Sequence, residues 1–104
     1  MASSKEFLLF ITDQLSPLGE ITYRPMMGEY LLYYRGKLFG GIYDDRLLLK
    51  PCQATQQLLP SAKSALPYDG AKPMTLVEDT DDRELLCELI AKMYEDLPQP
   101  RSKK

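Results

Sequence analysis

The chain has 104 residues, with 13 Lys and Arg against 15 Asp and Glu and no histidine. A formal charge of -2 lacks the basic excess that autonomous duplex binding needs, and the missing imidazole removes the usual general base and the commonest metal ligand. The composition, 44% hydrophobic and 27% charged, is that of a single globular domain.

One domain is expected over residues 1–97, followed by a flexible tail at 98–104, where two prolines give way to terminal charges. Cys52 and Cys87 stand too far apart for a CxxC or other metal-spaced cluster. The apolar run Phe7 to Ile11 is too short for a signal h-region or a bilayer span. A cytoplasmic protein with reduced thiols and no membrane contact is the expectation.

Ser3-x-x-Glu6 has the spacing of a capping box and predicts a helix start. Phe7, Leu8, Ile11, Leu15 and Leu18 then share one helical face, with Thr12, Asp13 and Gln14 on the other, until Ser16-Pro17 and Gly19 break the pattern. Short runs at Glu20 to Arg24, Tyr30 to Tyr34, Leu38 to Tyr43 and Arg46 to Lys50 are rich in aromatic or branched residues and bounded by turn signals. They read as an antiparallel meander, with Gly36 supplying a positive φ in one link and Asp44-Asp45 bonding their own backbone in the next.

Alternation inside the meander does not single out a solvated face. Tyr30, Leu32 and Tyr34 oppose Leu31 and Tyr33, and Leu38 and Ile42 oppose Phe39 and Tyr43. Either both faces are partly covered or one carries a Tyr-rich surface that meets a partner. Gly40-Gly41, inside a strand, reads as a place where a helix approaches closely and not as a phosphate loop.

Residues 51–73 turn to Gln, Ala, Ser, Pro and Gly, with a helical turn or two over Ala54 to Leu59 before Pro60. Met74 to Val77 adds a strand. Thr80 with Asp79, Asp81 and Asp82 suits a helix N-terminus, and Leu85, Leu86, Leu89, Ile90, Met93 and Leu97 recur at helical spacing. The fold class is α+β, a mainly antiparallel sheet of a four-stranded meander plus a later strand, packed by N- and C-terminal helices.

The residues that invite a functional reading cluster in the meander. Arg24-Pro25-Met26-Met27-Gly28 reads either as a contact loop, in which Arg24 offers a fork to a carboxylate or phosphate, or as a bend in which Pro25 ends the first pairing and both Met side chains fill the core. Asp44-Asp45-Arg46 is the one cluster resembling a carboxylate pair for acid–base work, but neighbours on a tight turn point apart and stay hydrated. The tyrosines at 23, 30, 33, 34 and 43 suggest a base-stacking platform, yet Glu20, Glu29, Asp44 and Asp45 offset the nearby cations, so Tyr packed in a sheet with its hydroxyl wet is the better account. The candidate interaction residues are Arg24, Met26, Met27, Tyr30, Tyr33, Tyr34, Arg35, Lys37, Tyr43 and Arg46; no catalytic, cofactor or metal residue is assigned.

Arg24-Pro25-Met26, Leu32-Tyr33-Tyr34 with Gly36-Lys37 and Phe39, Asp44-Asp45-Arg46-Leu47 with Leu49-Lys50, and Lys72-Pro73-Met74 together resemble the N-terminal domain of the TfoX/Sxy family, over about Ser3 to Leu97. The chain departs at Met27 and Glu29, where the family often has Phe and Gly around Gly28, so Glu29 is expected to lie already in the strand or to alter the turn. Members of that family include regulators of natural competence that act with the cAMP receptor protein at particular promoters. Those regulators carry a second, C-terminal domain, and this chain is expected to correspond to the first alone.

The resemblance implies a non-catalytic protein-interaction domain, a transcriptional regulator or regulator-like protein. Its implied partner is the cAMP receptor protein or another transcription component; from the residues themselves the contact is expected on the Tyr-rich face or an exposed sheet edge, either of which could also make a homodimer. Two alternatives stand beside it. One is a small-molecule or catalytic site between the sheet and the Gln53 to Asp69 excursion, using Tyr and Arg side chains. The other is direct DNA binding through Arg35, Lys37, Arg101, Lys103 and Lys104.

Overall fold

The computed structural model describes residues 5–26, 28–67 and 69–97. Ser3, and with it the capping box, lies outside that range, as do Met27 and the tail from residue 98. The chain runs through α1 (Lys5–Gln14), a 3-10 turn (Ser16–Leu18), β1 (Ile21–Met26), β2 (Glu29–Tyr34), β3 (Lys37–Tyr43), β4 (Arg46–Leu49), α2 (Gln53–Leu58), β5 (Ser64–Ala65), β6 (Met74–Val77) and α3 (Arg83–Asp96). The strands form one six-stranded antiparallel sheet in the order β1-β2-β3-β4-β6-β5. This is the predicted α+β architecture with one addition, the short β5 paired to β6 at the far edge.

Both tight links in the meander use left-handed backbone. Arg35 and Gly36 have φ of 52° and 84°, and Asp44 and Asp45 have 55° and 57°, the arrangement whose twist matches that of the flanking strands. Glu29 is paired in β2, opposite Met26.

Directly opposed residues share a face, so the register sorts the sheet. Tyr30 opposes Ile42, Ile42 opposes Leu47, and Leu47 opposes Val77; Leu32, Gly40 and Leu49 make the next row. This inner face packs with Leu8, Ile11 and Leu15 from the α1 end and with Leu86, Leu89, Ile90 and Met93 of α3 in a single core cluster. Each such side chain, fully buried, contributes about 1.5–3 kcal/mol of transfer free energy.

Several local expectations need correction. Phe39 and Ile42 share the inner face instead of opposing one another, because Leu32 pairs with Gly40 while Tyr33 pairs with Leu38, leaving Phe39 as an extra residue in β3. Such a bulge resets alternation on the strand that carries it. Pro25 does not end the first pairing but sits inside β1 opposite Tyr30, which an edge strand tolerates where the missing N–H would face solvent. Met26, directly before the hairpin, is half-buried and outside the core cluster.

The Gly40-Gly41 pair admits strands, not a helix. A Cβ at Gly40 would lie 2.2 Å from the Leu48 carbonyl oxygen and 2.9 Å from the Leu49 Cα, both in neighbouring β4. Gln14 is likewise not on a solvated face. It is buried, its Nε2 donating to the Thr80 carbonyl at 2.8 Å and its Oε1 accepting from Arg83 Nε at 3.4 Å, because the start of α3 packs along that flank of α1. The α3 N-terminus is capped by Asp82, whose Oδ1 accepts from the Leu85 amide at 3.1 Å, and Asp96 at its other end accepts from the Ala54 amide of α2 at 2.9 Å.

Candidate functional site

The opposite face of the sheet carries Thr22, Arg24 and Met26 from β1, Leu31 and Tyr33 from β2, Leu38 and Tyr43 from β3, Arg46 and Leu48 from β4, and Leu76 from β6. None of these side chains belongs to the helix-covered core. Leu48 is fully buried at the centre of this outer face, and Tyr43, 5% exposed, folds back so that a Cβ at Gly41 would lie 2.8 Å from its ring. Around them Leu31, Tyr33, Leu38 and Leu76 are half-buried. Arg46 donates from Nε to the Tyr43 carbonyl and from Nη2 to the Leu66 carbonyl, each at 3.2 Å, and so ties the segment after β5 to this face. The result is an apolar surface that the chain covers only in part.

The ten candidate interaction residues do not come together on it. Arg24, Met26, Tyr33, Tyr43 and Arg46 lie on the outer face, whereas Tyr30 and Tyr34 lie on the inner one and pack against the core. Tyr34 meets Tyr94 of α3 edge-on at 5.4 Å between ring centroids, and Tyr23, at the sheet edge, meets Tyr30 edge-on at 5.8 Å. The tyrosines thus divide between two faces and form no common stacking platform. Met27 lies outside the described residues.

Lys37 and Tyr43 are buried and leave the set of surface contacts. Lys37 is 4% exposed, its Nζ donating to the carbonyls of Tyr94 at 2.8 Å and Leu97 at 3.2 Å and sitting 4.0 Å from the Tyr94 ring centroid. It supplies the C-terminal end of α3 with the cation that the helix dipole and unpaired carbonyls favour. Arg35 is exposed but engaged: its Nε donates to Glu20 Oε1 at 2.7 Å, and that carboxylate holds the guanidinium above its ordinary range. Sequence reasoning missed Leu31, Leu38, Leu48 and Leu76 as surface formers. The period-two signal that placed Leu31 beside Tyr33 contained the first of them.

Chemistry for catalysis is sparse among the described residues. No group of three or more His, Cys, Asp or Glu side chains is placed to hold a metal ion, and Asp44 and Asp45 form an exposed turn. A concavity of about 350 Å³ lies between residues 58–62, β6 and Leu85, but its walls include neither Tyr nor Arg, the side chains that a site beside the excursion was expected to use. No helix among these residues is long and apolar enough to cross a membrane.

An antiparallel sheet with helices packed on one face and a partly open apolar surface on the other defines a small α+β domain. The chain belongs to the TfoX N-terminal domain family, whose profile matches residues 13–97. It is 30% identical over 105 residues to an uncharacterized 12.7 kDa protein in the trpE 5′ region of Spirochaeta aurantia, an alignment covering 100% of this chain and 91% of that protein. No solved structure matches the chain.

Proposed function

We propose that this domain is a non-catalytic, cytoplasmic protein-interaction module in transcriptional regulation, and that it engages its partner through the outer sheet face. The observation that carries the reading is the ring of half-buried Leu31, Tyr33, Leu38 and Leu76 around Leu48, on the face that contributes nothing to the helix-covered core. Apolar side chains gathered in this way, with a Tyr hydroxyl at the margin, are the composition of a protein contact. The family includes competence regulators, which makes the cAMP receptor protein or RNA polymerase the first partner to seek. The fold-level likeness is an analogy, and the face supplies the physical argument.

The test is affinity purification of the tagged chain from its native cell at native abundance, with nuclease, beside a Tyr33→Asp variant. Recovery of a transcription component that survives nuclease and is lost with Tyr33→Asp supports the reading. Recovery of the same proteins with both chains, or of none with either, overturns it. The Tyr33→Asp chain must first match the parent in circular dichroism.

A further inference from the structure

Among the described arginines, Arg24 stands apart because the fold leaves it unpaired. Arg35 donates to Glu20 at 2.7 Å, Arg83 donates to Asp13 at 3.2 Å, and Arg46 donates to the carbonyls of Tyr43 and Leu66. Arg24 is exposed, with no ion pair, side-chain hydrogen bond or ring contact among the described residues. The residues outside that range include no Asp or Glu, so the missing carboxylate does not come from there.

The register places this cation on the outer face. Arg24 opposes Leu31, Leu31 opposes Gly41, Gly41 opposes Leu48 and Leu48 opposes Leu76, one row across the sheet with the guanidinium at its β1 end. The neighbouring row holds Thr22, Tyr33 and Leu38. Thr22, Arg24 and Tyr33, together with Tyr23 and Gly36, line a concavity of about 350 Å³. Its walls thus carry a guanidinium with five N–H donors beside hydroxyl groups, and half-buried Leu31 and Leu38 stand directly across from Arg24 and Tyr33. The one acidic side chain that the strand pairing puts on this face is Glu29, opposite Met26. Its Oε1 accepts the Asp44 amide at 3.1 Å, in the turn after β3 and on the far side of β2 from Arg24.

We infer that the outer face takes an acidic peptide segment of a partner protein, one of whose carboxylates enters this concavity and is held by the Arg24 fork beside Thr22 and Tyr33. Apolar side chains next to that carboxylate lie on Leu31 and Leu38. The inference rests on the reading of the outer face as a partner surface and specifies what the partner presents. An arginine fork suits a carboxylate and a phosphate alike, and the surroundings decide between them. A nucleic acid strand calls for cations repeated along its backbone. Here leucines follow Arg24, and the next guanidinium on the face, Arg46, lies three strands away, about 14 Å across the sheet, and is already bonded to two carbonyls. A single Asp or Glu flanked by apolar residues matches both the charge and the leucines. A desolvated arginine at the margin of an apolar patch is also the kind of residue on which binding concentrates.

The decisive experiment is selection of a displayed library of random-sequence peptides on the full chain, followed by affinity measurements of the enriched peptides on Arg24→Glu, Arg24→Gln and Tyr33→Asp chains that match the parent in circular dichroism. The expected result is enrichment of peptides with Asp or Glu beside apolar residues, and weakening of at least about tenfold by Arg24→Glu. Arg24→Gln, which removes the charge without reversing it, weakens them too. Exchanging the peptide's acidic residue for Lys restores binding to the Arg24→Glu chain. No enrichment, enrichment of peptides without acidic residues, or acidic peptides that bind the Arg24→Glu chain as tightly as the parent overturns the inference. Binding of a DNA duplex that Arg24→Glu abolishes would assign the concavity to phosphate and overturns it as well. The Tyr33→Asp chain separates this inference from the reading beneath it. Peptides lost with Tyr33→Asp but indifferent to Arg24 remove the carboxylate and keep the outer face as the contact, whereas peptides indifferent to both positions remove both.

Discussion

The Lys37 ammonium, at the first position of β3, donates to the Tyr94 carbonyl in the last turn of α3 at 2.8 Å, joining residues 57 positions apart. The same nitrogen reaches the Leu97 carbonyl, and the Tyr94 ring lies beneath it. With Tyr34 edge-on to Tyr94, the β2–β3 hairpin grips the end of the helix. Replacing Lys37 with Met keeps an apolar stem of similar length but strands two carbonyls that a charged donor had satisfied. The expected loss is about 2–3 kcal/mol in urea unfolding. A loss below about 0.5 kcal/mol would mean that water serves these carbonyls equally well.

Gly40 is the position least able to accept a side chain. The atoms that a Cβ would meet most closely are the Leu48 carbonyl oxygen and the Leu49 Cα, both backbone atoms of a strand buried in the sheet, with Leu49 Cδ2 next at 3.0 Å, so a rotamer change of Leu49 alone does not relieve the overlap. Gly40→Ala is expected to cost about 3 kcal/mol or more, or to prevent folding. Leu49→Ala in the same background tests the cause: it removes the one nearby side-chain atom, Leu49 Cδ2, but leaves the clashing Leu48 carbonyl in place and should not restore stability. Rescue by that second change would assign the crowding to a side chain.

How far the fold was legible depends on how local its causes are. The spacing of Leu86, Leu89, Ile90 and Met93 predicts a helix face, and those four residues are the buried ones of α3. The turn chemistry at Gly36 and Asp44-Asp45 likewise predicts links that the positive φ values bear out. Phe39 breaks the reading because a bulge shifts alternation by one place without a mark in the sequence that period-two counting can see. Lys37 looks like a surface cation because its partners arrive from α3, and Gln14 looks solvated until α3 packs beside it. The outer face was half legible: Leu31 and Tyr33 share a side by simple alternation, but Leu38 joins them only through the bulge.

Cys87 offers a pH-dependent signature. Burial raises its thiol above the ordinary range, against a lesser opposing pull from Arg83, and its Sγ donates to the Gln14 carbonyl at 3.4 Å. The thiolate is the reactive form, so Cys87 in the folded chain should alkylate more slowly than in the urea-unfolded chain at any pH near 8, with the rate rising as pH climbs. The same shift favours the folded state while the thiol is protonated in both states. That contribution is complete below the unfolded pKa and is lost as pH rises through the folded one, so stability should decline into the alkaline range. Peptide-resolved mass spectrometry measures the rates, and a Cys87→Ala chain should show a shallower alkaline decline. An equal rate in folded and unfolded chains would mean that the thiol is open to solvent.

Leu31 and Leu32 are neighbours in β2 and separate the two faces most sharply. Leu32 is completely buried within the helix-covered core, whereas Leu31 is half-buried on the outer face opposite Gly41. A carboxylate at position 32 would have no partner and no water, so Leu32→Glu should cost about 4 kcal/mol or leave the chain unfolded. At position 31 the carboxylate can turn toward solvent, and Leu31→Glu should cost about 1 kcal/mol or less. Thermal unfolding of the two variants side by side measures the contrast. If both collapse the fold, the outer face is closed in solution and is not a surface on which a partner can dock; if Leu31→Glu folds yet loses the partner recovered by the parent chain, the open face is where that partner binds.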